Sequence, residues 1–103
     1  MDEIRQQREE AWLGDAVLAL YVREWILNTF GQADGALQSA LTSNHFLSRF
    51  GAPTEVEARI GVLYRRDGLA AAQAWLEAEF IPAMVRHIKK HHPALAGKLP
   101  AGS

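Results

Sequence analysis

"EEAWLGDAVLALYV", residues 9–22, decides the fold. From Ala11 to Val22 it is almost wholly apolar, and it lacks the alternation of a strand. A helix apolar on every side predicts burial on every side. Asp15 interrupts the pattern, and Gly14 beside it adds a helix penalty of about 1 kcal/mol relative to alanine. Burying a lone carboxylate is costly unless it is paired or bound to a cation. Two adjacent local costs predict a point where another helix, or a ligand, comes close. Asp15 on a solvated strip, or paired with an arginine inside the fold, accounts for the residue pattern equally well.

The stretch belongs to a chain of 103 residues, enough for one small domain. Such a domain has a limited core, so association with another copy is a natural way to bury more surface. The absence of cysteine excludes disulfides and thiolate metal sites, and fits a reducing compartment. No apolar run reaches membrane-spanning length, and the opening "MDEIRQQREE" is too charged for a signal peptide. A cytoplasmic protein is expected. The net charge of −1 offers no bulk attraction for nucleic acid, so such binding requires a local basic face.

Helix formers dominate the rest of the chain, and the expected class is all-α. The first helix is expected from about Asp2 to about Phe30, closed by Gly31. A second begins near Asp34, a suitable N-cap, and carries "ALQSALTSNHFLSRF" to Gly51. Its apolar face is Leu37, Ala40, Leu41, Phe46, Leu47 and Phe50. "APTEVEARIGVLYRR" makes a third helix, with Pro53 and Thr54 at its start and Val56, Ile60, Leu63 and Tyr64 on one stripe. Asp67–Gly68 signals a turn before "LAAAQAWLEAEF". Pro82 then either starts "AMVRHIKKHH" as a fifth helix or kinks the fourth. The expected domain spans residues 1–93, followed by a loose tail over 94–103.

Three further features bear on chemistry. Glu57 lies three residues after Thr54, the spacing of a capping box, which competes with a catalytic role. The run "RHIKKHH", residues 86–92, is basic at a helix C-terminus, where cations favour the macrodipole; contact with phosphates is the sharper alternative. His87 and His91 share a helix face, but two histidines alone do not define a metal site. Asn44 is a poor helix-interior residue that either faces solvent or bonds to a neighbour. A phosphate-binding glycine loop, G-x-S-x-G and H-E-x-x-H are all absent from the sequence.

"WLGDAVLALYVREWIL" resembles the signature helix of ribonuclease III, E-F-L-G-D-(S/A)-V-L. "ALQSALTSNHFLSRFG" is similar to that family's L-V-S-N-x-x-L-A helix. "EARIGVLYRRDGLAAAQAWLEAEFIPAM" is similar to its E-A-L-I-G-A-(I/V)-Y-x-D-G-G segment and closing helix. The three segments follow in order along almost the whole chain. The resemblance implies a shortened, homodimeric, all-α endonuclease domain. The signature helices of the two copies would pack together, with Trp12, Leu13, Gly14 and Val17 at the dimer interface. Asp15 and Glu57 match the acidic positions, and so would be catalytic and bind Mg2+, with Mn2+ as a substitute. The metal polarises the phosphate and activates water. Structured or double-stranded RNA, of the kind processed in ribosomal precursors, is the implied substrate. Arg86, Lys89 and Lys90 are the candidate RNA contacts, and neither DNA nor a membrane is implied as a partner.

The chain departs from the family at defined places. Ala11 stands where most members carry a glutamate, and Glu10 points about 100° away around a helix. Thr54 replaces a second customary acid. The compact Mini-III subgroup, which lacks a double-stranded-RNA-binding domain, shares both departures: its A-Y-I-G-D-A and S-T-x-F-E-A-L-(I/L)-G-Y-L resemble "AWLGDA" and "PTEVEARIGVLY". Only 42 positions separate Asp15 from Glu57 (57 − 15), fewer than the family carries. The shortfall is a helix and a basic loop, including the R-G-R-N-A-like segment of Mini-III. The family's first helix is also largely missing. These departures support an alternative: a non-catalytic dimer of this fold that binds RNA or protein. A plain helical dimerisation module, with Asp15 paired to arginine, is a third possibility.

Overall fold

The computed structural model describes residues 2–100, and its elements are all helical. The long helix α1, Asp2–Phe30, sets the dimensions. At 1.5 Å per residue its 29 residues span about 44 Å. The longest extent of the molecule is 47 Å. Gly31, at φ 79°, closes the helix and donates its N–H to the Leu27 carbonyl.

The segment after Gly31 forms two short helices where one was expected. Asp34 caps α2, Gly35–Leu41, by accepting from the Leu37 N–H at 2.9 Å. The chain breaks at Thr42–Ser43 and restarts as α3, Asn44–Leu47. The cause is local hydroxyl chemistry. Thr42 Oγ1 donates to the Gln38 carbonyl, while Ser43 Oγ donates to the Ala40 carbonyl and accepts from the Phe46 N–H. Ser43 is thus an N-cap, and Asn44, exposed at the first helical position, never occupies a helix interior. Turns over residues 48–50 then lead to Gly51.

Helix α4, Pro53–Asp67, begins two residues earlier than a capping box on Thr54 requires. Pro53 takes the first helical position, where its missing N–H costs nothing, and Ala52 becomes the N-cap. Thr54 lies inside the helix and no side chain caps this end. The capping-box expectation for Glu57 therefore fails. Gly68, at φ 93°, ends α4 and begins α5, Leu69–His91. Pro82 neither starts a new helix nor ends the old one. Proline inside a helix costs about 3 kcal/mol. Burial on both sides of it, through Ala72, Leu76, Phe80, Ala83, Met84 and Ile88, outweighs that cost.

The core joins Val17, Leu18, Val22 and Ile26 of α1 to Leu37, Leu41, Phe46, Leu47, Val56 and Ile60, closed over by α5. Phe50 stacks on Phe80 at 4.2 Å. Among the described residues no polar or charged side chain is buried. The segment after residue 93 is not wholly loose: Pro93–Ala96 forms a helical turn, α6, and Leu95 and Leu99 pack against the core. Residues 101–103 of the expected tail lie outside the described residues.

Candidate active site

Gly14 is buried where α1 crosses α4. A Cβ there would overlap the Glu57 carbonyl and stand 2.9 Å from the Gly61 nitrogen. The relation is reciprocal, since a Cβ on Gly61 would overlap the Glu10 carbonyl. Two glycines thus allow two helix backbones into contact, and no other residue fits either position. The close approach expected at Gly14 is made to a helix of its own chain.

That crossing brings Asp15 and Glu57 together. Glu57 is half-buried beside the crossing, and its carboxyl group shares a hydrogen bond with that of Asp15. Burial, then that hydrogen bond and the Asp15 charge, push the Glu57 carboxyl up to about 7. Asp15 itself is exposed on the single chain, so the premise of a carboxylate buried on all sides does not hold. Among the described residues no ion pair joins it to an arginine. Two carboxyl groups in contact repel when both are charged, and either a shared proton or a cation relieves that repulsion. Magnesium keeps several waters and is commonly held by one or two carboxylates together with substrate phosphates. The donor set fits such an ion on the protein side. A fuller protein cage is absent: among the described residues no group of three or more His, Cys, Asp or Glu is placed to hold a metal.

Helix α1 is not buried on every side within one chain. Trp12 is 76% exposed and Leu20 43% exposed. Leu13, Ala16, Val17 and Leu20 line a groove with Tyr64 and Leu69. Of the expected interface residues, Trp12 and Leu13 therefore lie on the outer side, Val17 forms the groove floor, and Gly14 faces inward. Tyr64 leaves the core stripe expected for it and borders this groove. Glu10 stands apart from the acidic pair and lines a shallow hollow with Gln6, Val62, Arg65 and Arg66.

Arg86, Lys89 and Lys90 are exposed on the last turns of α5. Arg66 pairs with its neighbour Asp67 at 2.9 Å. Another cleft, between the end of α1 and α2, is lined by Arg23, Ile26, Leu27, Ala33, Asp34, Gly35 and Gln38. Its acid, Asp34, is engaged as the α2 cap. Two features escaped the sequence reading: the partnership of Gly14 with Gly61, and the approach of His45 and Arg49 to His87. An interior helical glycine at position 61 was a signal for the first. The second depends on tertiary packing and has no local signature.

Among the described residues no helix is long and apolar enough to cross a membrane. Comparison with protein families, curated proteins and solved structures found no match to this chain.

Proposed function

We propose that the chain is a magnesium-dependent endoribonuclease of the ribonuclease III type, nearest in motif to Mini-III, that hydrolyses structured or double-stranded RNA as a homodimer. The observation that carries this proposal is the meeting of Asp15 and Glu57. They lie 42 positions apart (57 − 15), on different helices, and their carboxyl groups interact while neither is in an ion pair with an arginine among the described residues. Bound magnesium would supply electrostatic stabilisation of the phosphate and activation of water. Asp15, exposed on α1, and Glu57, half-buried on α4, would hold the ion from one side and leave the other open to a phosphodiester. The Glu57 carboxyl, pushed up to about 7 by burial and by Asp15, would give its proton to solvent in order to serve as a magnesium ligand.

The exposed apolar side of α1 supports the dimer. Trp12, Leu13, Ala16 and Leu20 with Tyr64 and Leu69 offer the surface that a second α1 would cover. Arg86, Lys89 and Lys90 are assigned to RNA phosphates. Recognition rests on backbone shape rather than base sequence.

The test is incubation with a long RNA duplex in magnesium, for the wild type and Asp15→Asn. Cleavage by the wild type and its loss in the variant are expected. A folded dimer that leaves several duplexes intact would instead favour the second reading, a non-catalytic dimer that binds RNA or protein. The short Asp15–Glu57 spacing and the lack of a third acid favour that reading.

A further inference from the structure

All four histidines of the chain gather at one end of the fold. The His87 ring lies 4.7 Å from that of His91 and 5.6 Å from that of His92, centroid to centroid. His45 on α3 and Arg49 just after it are near enough to act on His87 through their charge. Phe46 organises the group. The Arg49 guanidinium lies 5.0 Å from its ring centre, and His87 meets it edge-on at 5.8 Å.

Among the described residues no acidic side chain figures in the influences on His87. Burial comes first among the influences on His87, then His91, Arg49, His92 and His45, and every one of them disfavours its charged form. Among the described residues none of these five side chains is in an ion pair. His87 Nδ1 is buried without a hydrogen-bond partner. Arg86 and Lys90 are exposed on the same turns of α5. The carbonyls at the α5 C-terminus favour positive charge there. Gathering four imidazoles and the Arg49 guanidinium with no ion pair among the described residues opposes their protonation unless an anion completes the site. A transition metal is the other ligand imidazoles attract. Arg49 repels it, and no three of these ligands are placed for one.

We propose that His45, Arg49, His91 and His92 form a phosphate-binding site, with His87 as the positioning residue between them, and that acid strengthens its grip. Phosphate arrives either in an RNA backbone or as a free phosphate compound. The site rests on the cationic cluster alone and not on the roles of Asp15 and Glu57.

The experiment uses the full chain without divalent metal, at about pH 6 and about pH 7.5, bracketing the ordinary imidazole range. A labelled short RNA duplex is titrated by fluorescence anisotropy, and pyrophosphate by calorimetry in two buffers of different ionisation enthalpy. Binding of either probe is expected to tighten about tenfold at the lower pH, with proton uptake. The probe that binds identifies the source of phosphate. The double variant H91Q/H92Q should lose the pH dependence, and Arg49→Gln should weaken binding at both pH values; each thermal melt confirms folding. Cleavage by Asp15→Asn and phosphate binding by H91Q/H92Q are read in separate assays, so failure of the proposed function and failure of this site are separately visible. Binding of neither probe, pH-independent binding, or a folded H91Q/H92Q that binds as the wild type does would overturn the proposal. So would stoichiometric Zn2+ binding without phosphate that this variant abolishes.

Discussion

Replacing Glu57 by glutamine removes one of two interacting carboxyl groups while keeping the length and shape of the side chain. The Glu57 carboxyl is pushed up from 4.5 to about 7 in the folded protein, chiefly by burial and then by Asp15. Between those values the folded chain holds a proton that the unfolded chain has released. Stability therefore falls as pH rises through that window, and the full penalty is present above about pH 7. At 1.36 kcal/mol per pH unit, a fully closed site would lose about 3 kcal/mol. The pair is partly solvated, and screening reduces this to on the order of 1–2 kcal/mol.

Glu57→Gln should therefore leave the protein nearly unchanged at about pH 5 and stabilise it by on the order of 1–2 kcal/mol at about pH 8. For a domain of this size, each kcal/mol moves the melting temperature by about 4–8 °C. Urea titrations and thermal melts at both pH values measure the difference. Magnesium supplies a second arm. It should raise the melting temperature of the wild type at about pH 8, because a ligand of the native state stabilises by mass action, and should do far less for the variant. Equal or lower stability of Glu57→Gln at the higher pH would show that the two carboxyl groups do not oppose one another. An undiminished magnesium response would remove Glu57 from the metal site.

Gly14→Ala and Gly61→Ala should each destabilise the fold by about 2–3 kcal/mol despite the better helix propensity of alanine, because the new methyl group meets backbone rather than a yielding side chain; denaturant midpoints check this. Ser43→Ala removes the α3 cap and should cost about 1 kcal/mol in the same titration, with the cleavage chemistry untouched. Leu20→Glu places a charge on the exposed side of α1 and should turn the proposed dimer into a folded monomer in sedimentation equilibrium. A wild type that sediments as a monomer at every concentration would remove the dimer from the proposal.

Much of the helical frame was legible in the sequence because its boundaries carry local chemistry. Gly31, Asp34 and Gly68 each mark a helix end, and each acts there. Misreadings arose where a local motif had competitors. "PTEVE" fits a capping box by spacing, yet proline one residue earlier takes the helix start, so Thr54 has no cap to make. "LTSNHF" kept its helical apolar spacing, while two hydroxyl groups offered the backbone an alternative to continuing. Pro82 allowed either a new helix or a continued one, and burial along α5 selects continuation. By residue pattern the acidic pair was legible only as two separate oddities, and it was the family resemblance that joined them. Their contact depends on the crossing of α1 and α4, which pattern reading along one chain does not reach.

That crossing connects the fold to the proposed chemistry. Gly14 and Gly61 would serve a purely structural crossing equally well with any polar residues beside them. Asp15 follows Gly14 directly, and Glu57 stands one helical turn before Gly61. The close approach therefore presses two like-charged groups together at its edge. Serine or asparagine at either position would remove the repulsion, and arginine at one of them would turn it into attraction. A fold without use for a cation gains nothing from this arrangement and becomes less stable above neutrality. The same α1 presents Trp12 only about 60° around the helix from Asp15, at the border of the uncovered apolar side. A second copy seated there would lie beside the acidic pair and shield it from water, which strengthens the hold of two carboxylates on a cation. Disrupting the dimer should accordingly weaken magnesium binding as well as assembly. Leu20→Glu, which alters neither acid, makes that link measurable: its magnesium affinity should fall in step with its loss of dimer, and an unchanged affinity in the monomer would separate the two.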